Sequence, residues 1–207
     1  MHYITHDNLS DEIKIRNSHF ISSSYSVEDV KKVKKVLSEM QHRFPDANHI
    51  CYAYRICNTQ QLDLFYNPEI VEYAADDGEP SGTAGRQILN VLKNKSLVNR
   101  LIVVVRYFGG IKLGIKGLIE AYRQSAELVV KDVKVMKWVL LKELIIKLDY
   151  KYHKSIESIV LKYNGEIINS EFSEDILVSI RVPYKYLSEF KKHINEKSKG
   201  TIQIIDS

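Results

Sequence analysis

The sequence contains little cysteine, proline and tryptophan, and the scarcity of cysteine narrows the classes of protein that it can encode. Its 207 residues include two cysteines, four prolines and one tryptophan. On one strand, Cys51 and Cys57 would lie about 20 Å apart at a rise of ~3.3 Å per residue, which is too far for a disulfide. No cysteine or histidine spacing typical of a metal site occurs. We therefore expect a reduced, cytoplasmic protein.

Long hydrophobic runs and a strong excess of one charge are also missing. No apolar run approaches the ~20 residues that span a bilayer, and the start of the chain has no secretory-signal pattern. The net charge of +4 falls short of the strongly basic balance of a dedicated nucleic-acid binder, and there is no DNA-specific signal. A chain that is 44% hydrophobic and 27% charged is typical of a globular protein with one large or two small domains.

Glycine is sparse but concentrated, because seven of the nine glycines fall between residues 78 and 117. Glycine reaches positive φ without steric cost and lets another backbone come close. The concentration therefore predicts two loops whose shape is set by the backbone. The first reads Asp76-Asp77-Gly78-Glu79-Pro80-Ser81-Gly82-Thr83-Ala84-Gly85-Arg86.

The first loop ends in a predicted helix that Ser81 or Thr83 can cap, since a hydroxyl accepts hydrogen bonds from free first-turn N–H groups. The backbone N–H groups exposed by Gly82 and Gly85, together with the helix dipole, predict an anion site. Arg86 lies in the first turn, where a cation is unfavourable next to the positive end of the helix dipole. Its presence there makes more sense if an anion binds nearby.

The acidic part of this loop has two interpretations. Asp76, Asp77 and Glu79 offer three carboxylates that could hold Mg²⁺, which prefers oxygen ligands. The alternative is an Asp-Gly turn followed by a helix cap. His49, at the start of a predicted strand, could act as a base or ligand if it faces the acidic loop, or it could be a structural histidine.

The second loop follows five apolar residues, 101–105, which predict a strand covered on both faces. It combines a basic, an aromatic and a glycine-rich part, in the residues Arg106, Tyr107, Phe108, Gly109, Gly110, Lys112 and Lys116. Such a loop suits phosphate or nucleic-acid contact. The alternative is a tight strand-to-helix connection whose aromatic rings pack inward.

The apolar periodicity divides the chain into two predicted domains, 1–134 and 135–207. The first contains several strands and a helix, followed by helix, strand and helix. The second has the order strand, helix, strand, strand, helix, strand, which is the ferredoxin-like arrangement. We therefore predict an α+β protein.

The runs 76–86 and 106–114 resemble the signature of the YigZ/IMPACT family, and the resemblance extends to His49 and to the Ala-Tyr-Arg at 53–55. It covers most of the chain and is closest to the bacterial two-domain members. The sequence departs from the family pattern at Gln87, where a proline is usual, and at Lys116, where a glycine is usual. The resemblance implies a ribosomal-protein-S5-domain-2-like N-terminal domain and a ferredoxin-like C-terminal domain similar to the last domain of elongation factor G.

The resemblance also implies regulation of translation, with RNA, the ribosome or a translation factor as the partner. On this hypothesis Arg106, Lys112 and Lys116 contact phosphate, while Tyr107 or Phe108 stacks on a base. Two other hypotheses stay open. One is a Mg²⁺-dependent enzyme acting on a phosphorylated small molecule, with His49 as its base. The other is a protein–protein adaptor whose two loops only shape a surface.

Overall fold

A β-sheet with helices on both faces forms the first part of the chain in the structure, which is a computed structural model that describes residues 3–5, 8–62 and 68–206. Contacts divide the chain into two units: the first comprises residues up to Gln61 and Pro68–Trp138, and the second includes all described residues from Val139 onward. The first unit contains β1 (Tyr3–Ile4), β2 (Leu9–Ile15), β3 (Ser18–Ser26), α1 (Val30–Arg43), β4 (His49–Leu62), β5 (Pro68–Ala75), α2 (Gly85–Asn94), β6 (Arg100–Tyr107), α3 (Gly114–Val129) and β7 (Met136–Lys137).

Strand β6 occupies the centre of a five-stranded sheet with the order β2-β3-β6-β4-β5. It is antiparallel to both β3 and β4. Because side chains alternate along a strand, Leu101 and Val103 join the core beneath α1, whereas Ile102 and Val104 join the core beneath α2 and α3. The prediction that this strand is covered on both faces is confirmed.

Two glycines let the loops approach the sheet closely. A Cβ on Gly85 would lie 2.6 Å from the backbone N of Ala75, so only glycine lets α2 begin against the end of β5. A Cβ on Gly109 would overlap the backbone carbonyl of Asn17. These contacts fix where α2 starts and where the chain leaves β6, and both points border the candidate site.

The second unit has the predicted ferredoxin-like plan. Its elements are β8 (Leu141–Leu148), α4 (His153–Lys162), β9 (Glu166–Phe172), β10 (Ile176–Pro183), α5 (Leu187–Ser198) and β11 (Gln203–Asp206). The antiparallel sheet has the order β11-β8-β10-β9. Apolar residues of α4 and α5, such as Ile156 and Phe190, form one core with the inward side chains of the sheet. The predicted α+β class is confirmed.

Among the described residues, no helix is both long enough and apolar enough to cross a membrane.

Candidate functional site

A cleft of about 440 Å³ in the first unit is where the two glycine-containing loops meet. His49 at the start of β4 lies directly opposite Arg106 at the end of β6, and this pairing brings the two loops to one end of the sheet. The acidic loop contributes Glu79 and Pro80. The other lining residues are Asn48, Phe108, Lys112, Leu113, Gly114, Ile115 and Leu118.

Asp76 occupies the anion site that the sequence predicts at the start of α2. Its Oδ1 accepts hydrogen bonds from the N–H groups of Ala84 and Gly85 at 3.0 and 2.8 Å, and its Oδ2 accepts one from Gly82 at 2.8 Å. The negative carboxylate also complements the positive end of the helix dipole. The prediction of a site for an external anion at Gly82 and Gly85 is therefore corrected, because the chain supplies its own anion.

The predicted capping hydroxyls at this helix start have other positions. The cap residue is Ala84, which has no side-chain hydrogen bond to the helix. The Thr83 hydroxyl donates to the carbonyl of Pro80 at 2.6 Å, and Ser81 is exposed. Arg86 also points to solvent and does not line the cleft. The cap comes instead from Asp76, at the end of β5.

The three carboxylates of the acidic loop do not form the suggested Mg²⁺ site. Asp77 Oδ2 accepts a hydrogen bond from the backbone N–H of Ile50 at 2.6 Å, while Asp76 is bound by the start of α2. Glu79 points in a third direction, into the protein. Within residues 3–5, 8–62 and 68–206, no three His, Cys, Asp or Glu side chains are grouped as metal ligands. Each carboxylate instead interacts with donors of the protein itself, so the three do not converge on a metal ion.

Glu79 and Arg106 form a buried ion pair at the bottom of the cleft. Arg106 Nη1 lies 2.5 Å from Glu79 Oε1, and more than nine-tenths of each side chain is buried. The Tyr122 hydroxyl donates to the same carboxylate oxygen at 2.8 Å, and Arg106 Nη2 donates to Ser18 Oγ at 3.3 Å. Arg106 was expected to contact phosphate. It neutralises Glu79 instead, because it faces inward.

The Tyr122 hydroxyl and the Cys51 thiol lie next to this ion pair, and burial keeps both protonated. Burial raises the pKa of Tyr122 far above its ordinary value, with Cys51 and Glu79 adding to the shift. Burial likewise raises the pKa of the Cys51 thiol to about 12, although its hydrogen bond with Tyr122 opposes the shift. The Cys51 Sγ lies 3.0 Å from the carbonyl oxygen of Asp76 and donates to it. Tyr122 and Cys51 therefore act as fixed donors at neutral pH.

His49 has a defined orientation in the cleft wall. Its Nδ1 lies 2.8 Å from the carbonyl oxygen of Asp77, and because a carbonyl only accepts, Nδ1 carries the hydrogen. In the neutral ring, Nε2 is then the unprotonated nitrogen, at 3.8 Å from Glu79 Oε1. His49 therefore faces the acidic loop, which is the condition stated above for a role as a base or ligand.

The second loop presents one aromatic ring to the cleft. The backbone N–H of Phe108 donates to Asn48 Oδ1 at 2.7 Å, and the Phe108 ring is 45% exposed. The guanidinium of Arg106 lies 5.7 Å from the centre of this ring. Tyr107 is the last residue of β6 and packs against the core on the α1 side of the sheet. Only Phe108 is therefore available for stacking at the cleft.

Like α2, α3 has no side-chain cap on its cap residue and no acidic residue in its first turn. The two helix starts differ because no described carboxylate accepts hydrogen bonds from the first N–H groups of α3, as Asp76 does at α2. Gly110 and Gly114 adopt positive φ, which turns the chain into this helix. Lys112 lines the cleft, and Lys116 is exposed in the first turn. Neither lysine forms an ion pair with another described residue. The positive end of α3 and Lys112 thus meet at the cleft, with Lys116 in the same helix turn, and no described carboxylate pairs with either lysine.

Sequence reasoning did not identify Tyr122, Ser18 and Asn48 as part of this site. Tyr122 lies on the buried face of α3. A hydroxyl on an otherwise apolar helix face needs a hydrogen-bond partner, so its position was a usable signal. Ser18 and Asn48 carry no comparable signal, because short polar residues are common in turns.

The fold and the cleft define a two-unit α+β protein with two joined glycine-rich loops, and comparison with known proteins assigns the family. The sequence model of the Impact N-terminal domain matches residues 16–130. The chain belongs to the IMPACT family.

Similarity to known members extends over nearly the whole chain. IMPACT family member YigZ of Escherichia coli is 29% identical over 93% of this chain and 91% of its own length. IMPACT family member YvyE of Bacillus subtilis is 31% identical over 93% of this chain and 85% of its own. A crystal structure of a hypothetical protein aligns with a TM-score of 0.64 and 26% identity, covering 99% of this chain and 96% of that one.

Proposed function

We propose that the protein is a translation-associated binding protein that holds single-stranded RNA at the cleft of its first unit. A phosphate would lie at the uncapped start of α3, within reach of Lys112 and Lys116. A base would stack on Phe108. The ribosome or a translation factor carrying such RNA would be its cytoplasmic partner.

The observation that carries this proposal is the contrast between the two helix starts. The start of α2 is filled by Asp76, whereas no described side chain accepts a hydrogen bond from the first-turn N–H groups of α3. Free first-turn N–H groups and the helix dipole favour an anion. Glu79, the one carboxylate among the cleft-lining residues, is already neutralised by Arg106. The cleft therefore attracts rather than repels phosphate.

The shape of the cleft supports a single strand over a duplex. A concave space of about 440 Å³ admits one nucleotide with its phosphate, whereas a paired base inside a duplex cannot enter. Protein recognition of RNA commonly uses unstacked bases on aromatic side chains. The half-exposed Phe108 ring, which lines the cleft together with Lys112, offers such a surface.

We expect the double substitution Lys112→Gln and Lys116→Gln to lower affinity for single-stranded RNA about tenfold at low salt. Each lost phosphate contact on a single strand reduces the slope of log affinity against log salt by about 0.7, so the slope should fall by about 1.4. Fluorescence anisotropy with an unstructured RNA, repeated over a series of salt concentrations, measures both quantities.

The matched control is Lys31→Gln with Lys35→Gln, which removes the same charge from exposed positions on α1. This pair should leave the affinity and the salt slope close to those of the unsubstituted protein. Absence of RNA binding at low salt would contradict the proposal, as would equal effects of the two double substitutions. Tight binding of mononucleotides without binding of longer RNA would favour a small-molecule site.

A further inference from the structure

The helices and the sheet of the second unit carry opposite charge, although its net charge is small. The helical segments, 150–164 and 184–200, contain eight lysines and three glutamates. The remaining segments, 141–149, 166–183 and 201–206, contain three basic and seven acidic residues. Both helices pack on one face of the sheet. The fold therefore gathers positive charge into one layer, which the linear sequence conceals.

A groove of about 390 Å³ runs between α4 and α5 within this basic layer. Ring contacts of Tyr163 with Phe190 and His193, at 5.8 and 5.9 Å, hold the two helices together beside it. The lining residues are Lys154, Ser155, Ser158, Ile159, Lys162, His193 and Lys197, and none of them is acidic.

The three lysines of this groove carry exposed and unneutralised charge. Lys154 and Lys162 lie eight residues apart on α4, two turns along one face, and Lys197 faces them from α5. None of the three forms an ion pair within the part of the chain that the structure describes. By contrast, Lys192 on α5 lies 3.9 Å from Glu196. Converging cations of this kind raise the local potential and attract a polyanion.

We propose that this groove is a second RNA-binding surface, which contacts the phosphate backbone through Lys154, Lys162 and Lys197. Ser155 and Ser158 supply hydroxyl groups, which with lysine are among the usual donors to phosphate oxygens. The surface carries no array of groups for reading bases, so it binds without sequence preference. This inference stands on the charge of the second unit and does not depend on the cleft of the first.

Two binding surfaces in one chain have a measurable consequence. When one RNA strand engages both, the second contact becomes intramolecular, and the overall affinity exceeds that of either surface alone. A long single-stranded RNA should therefore bind more tightly than a short one, and loss of the groove should reduce this advantage.

The test compares two triple substitutions in the full-length protein. Lys154→Glu, Lys162→Glu and Lys197→Glu reverse the charge of the groove, and Lys31→Glu, Lys34→Glu and Lys35→Glu make the same change on α1. All six positions are exposed. We expect the groove variant to lose at least about tenfold in affinity for a long single-stranded RNA, with a salt slope lower by about 2. The α1 variant should lose only a few-fold.

A Lys→Gln set at the same three groove positions, with thermal unfolding of every variant, separates lost binding from lost folding. Equal RNA affinity of the groove and α1 variants would overturn the proposal. So would a groove variant that keeps RNA binding but loses binding to acidic phospholipid vesicles or to polyglutamate, because the groove would then serve another polyanion. Loss of RNA affinity in the Gln set, with unfolding unchanged, supports it.

Discussion

Replacing Asp76 with alanine should lower the free energy of unfolding by about 2–4 kcal/mol, because a helix cap and several charge-assisted hydrogen bonds are lost together. Three backbone N–H groups, those of Gly82, Ala84 and Gly85, would lose their acceptor. These groups are partly buried, so water replaces the carboxylate poorly. Urea unfolding measures the loss. The matched control is Ser81→Ala, which removes the exposed hydroxyl that local sequence preference favours as the cap and should change stability little.

The Asp76→Ala variant should also bind small anions that the unsubstituted protein does not. The vacated carboxylate site keeps its N–H groups and its helix dipole, so formate or acetate should fill it and raise the melting temperature in proportion to its binding. Thermal unfolding in the presence of formate, with chloride at equal ionic strength as the reference, tests this. An equal cost for Ser81→Ala, or no selective stabilisation of Asp76→Ala by formate, would contradict the assignment of Asp76 as the built-in anion.

Breaking the buried Glu79–Arg106 pair should cost about 3–5 kcal/mol, since removing one partner leaves a charge buried without compensation. In Glu79→Leu, Arg106 loses its counter-ion and the Tyr122 hydroxyl loses its acceptor. In Arg106→Met, the Glu79 carboxylate keeps only the Tyr122 hydrogen bond and the distant His49 ring. Each single substitution should therefore strongly lower the urea midpoint.

The double substitution Glu79→Leu with Arg106→Met should recover most of that loss, because two apolar side chains can replace a buried ion pair at little cost. The double-mutant cycle then gives a large coupling energy. The control cycle uses Arg123 and Glu127, whose side chains lie 2.7 Å apart on α3 but are about two-fifths exposed, so their coupling should be small. Additive losses at Glu79 and Arg106 would show that the two charges act independently.

The order of the elements could be predicted from the sequence, because it depends on periodicity. The apolar run 101–105 predicts a doubly covered strand, and the alternating and helical patterns after residue 140 predict the ferredoxin-like unit. Both follow from local patterns that one chain displays by itself. The meeting of the two loops does not follow from local patterns, since it depends on the pairing of β4 with β6, which places His49 opposite Arg106.

The roles of Asp76 and Arg106 could not be read from local preference. Ser81 and Thr83 are good caps by residue type, yet the end of β5 holds Asp76 next to three N–H groups, and a charged acceptor is stronger. Side chains alternate along β6, so Arg106 lies on the same face of the strand as Ile102 and Val104. The sequence alone therefore predicts that Arg106 faces α2 and α3. This alternation indicates that Arg106 pairs with a group inside the protein rather than with a phosphate.

RNA binding at the start of α3 can be tested most directly by titrating the isotopically labelled protein with a short single-stranded RNA and following the backbone amide resonances. We expect the amides of 108–112 and 114–117, around the start of α3, to shift together and saturate. The amides of Gly82, Ala84 and Gly85 should stay in place, because Asp76 already occupies them. Shifts at these three amides, with none at 108–117, would rule out RNA binding at the start of α3.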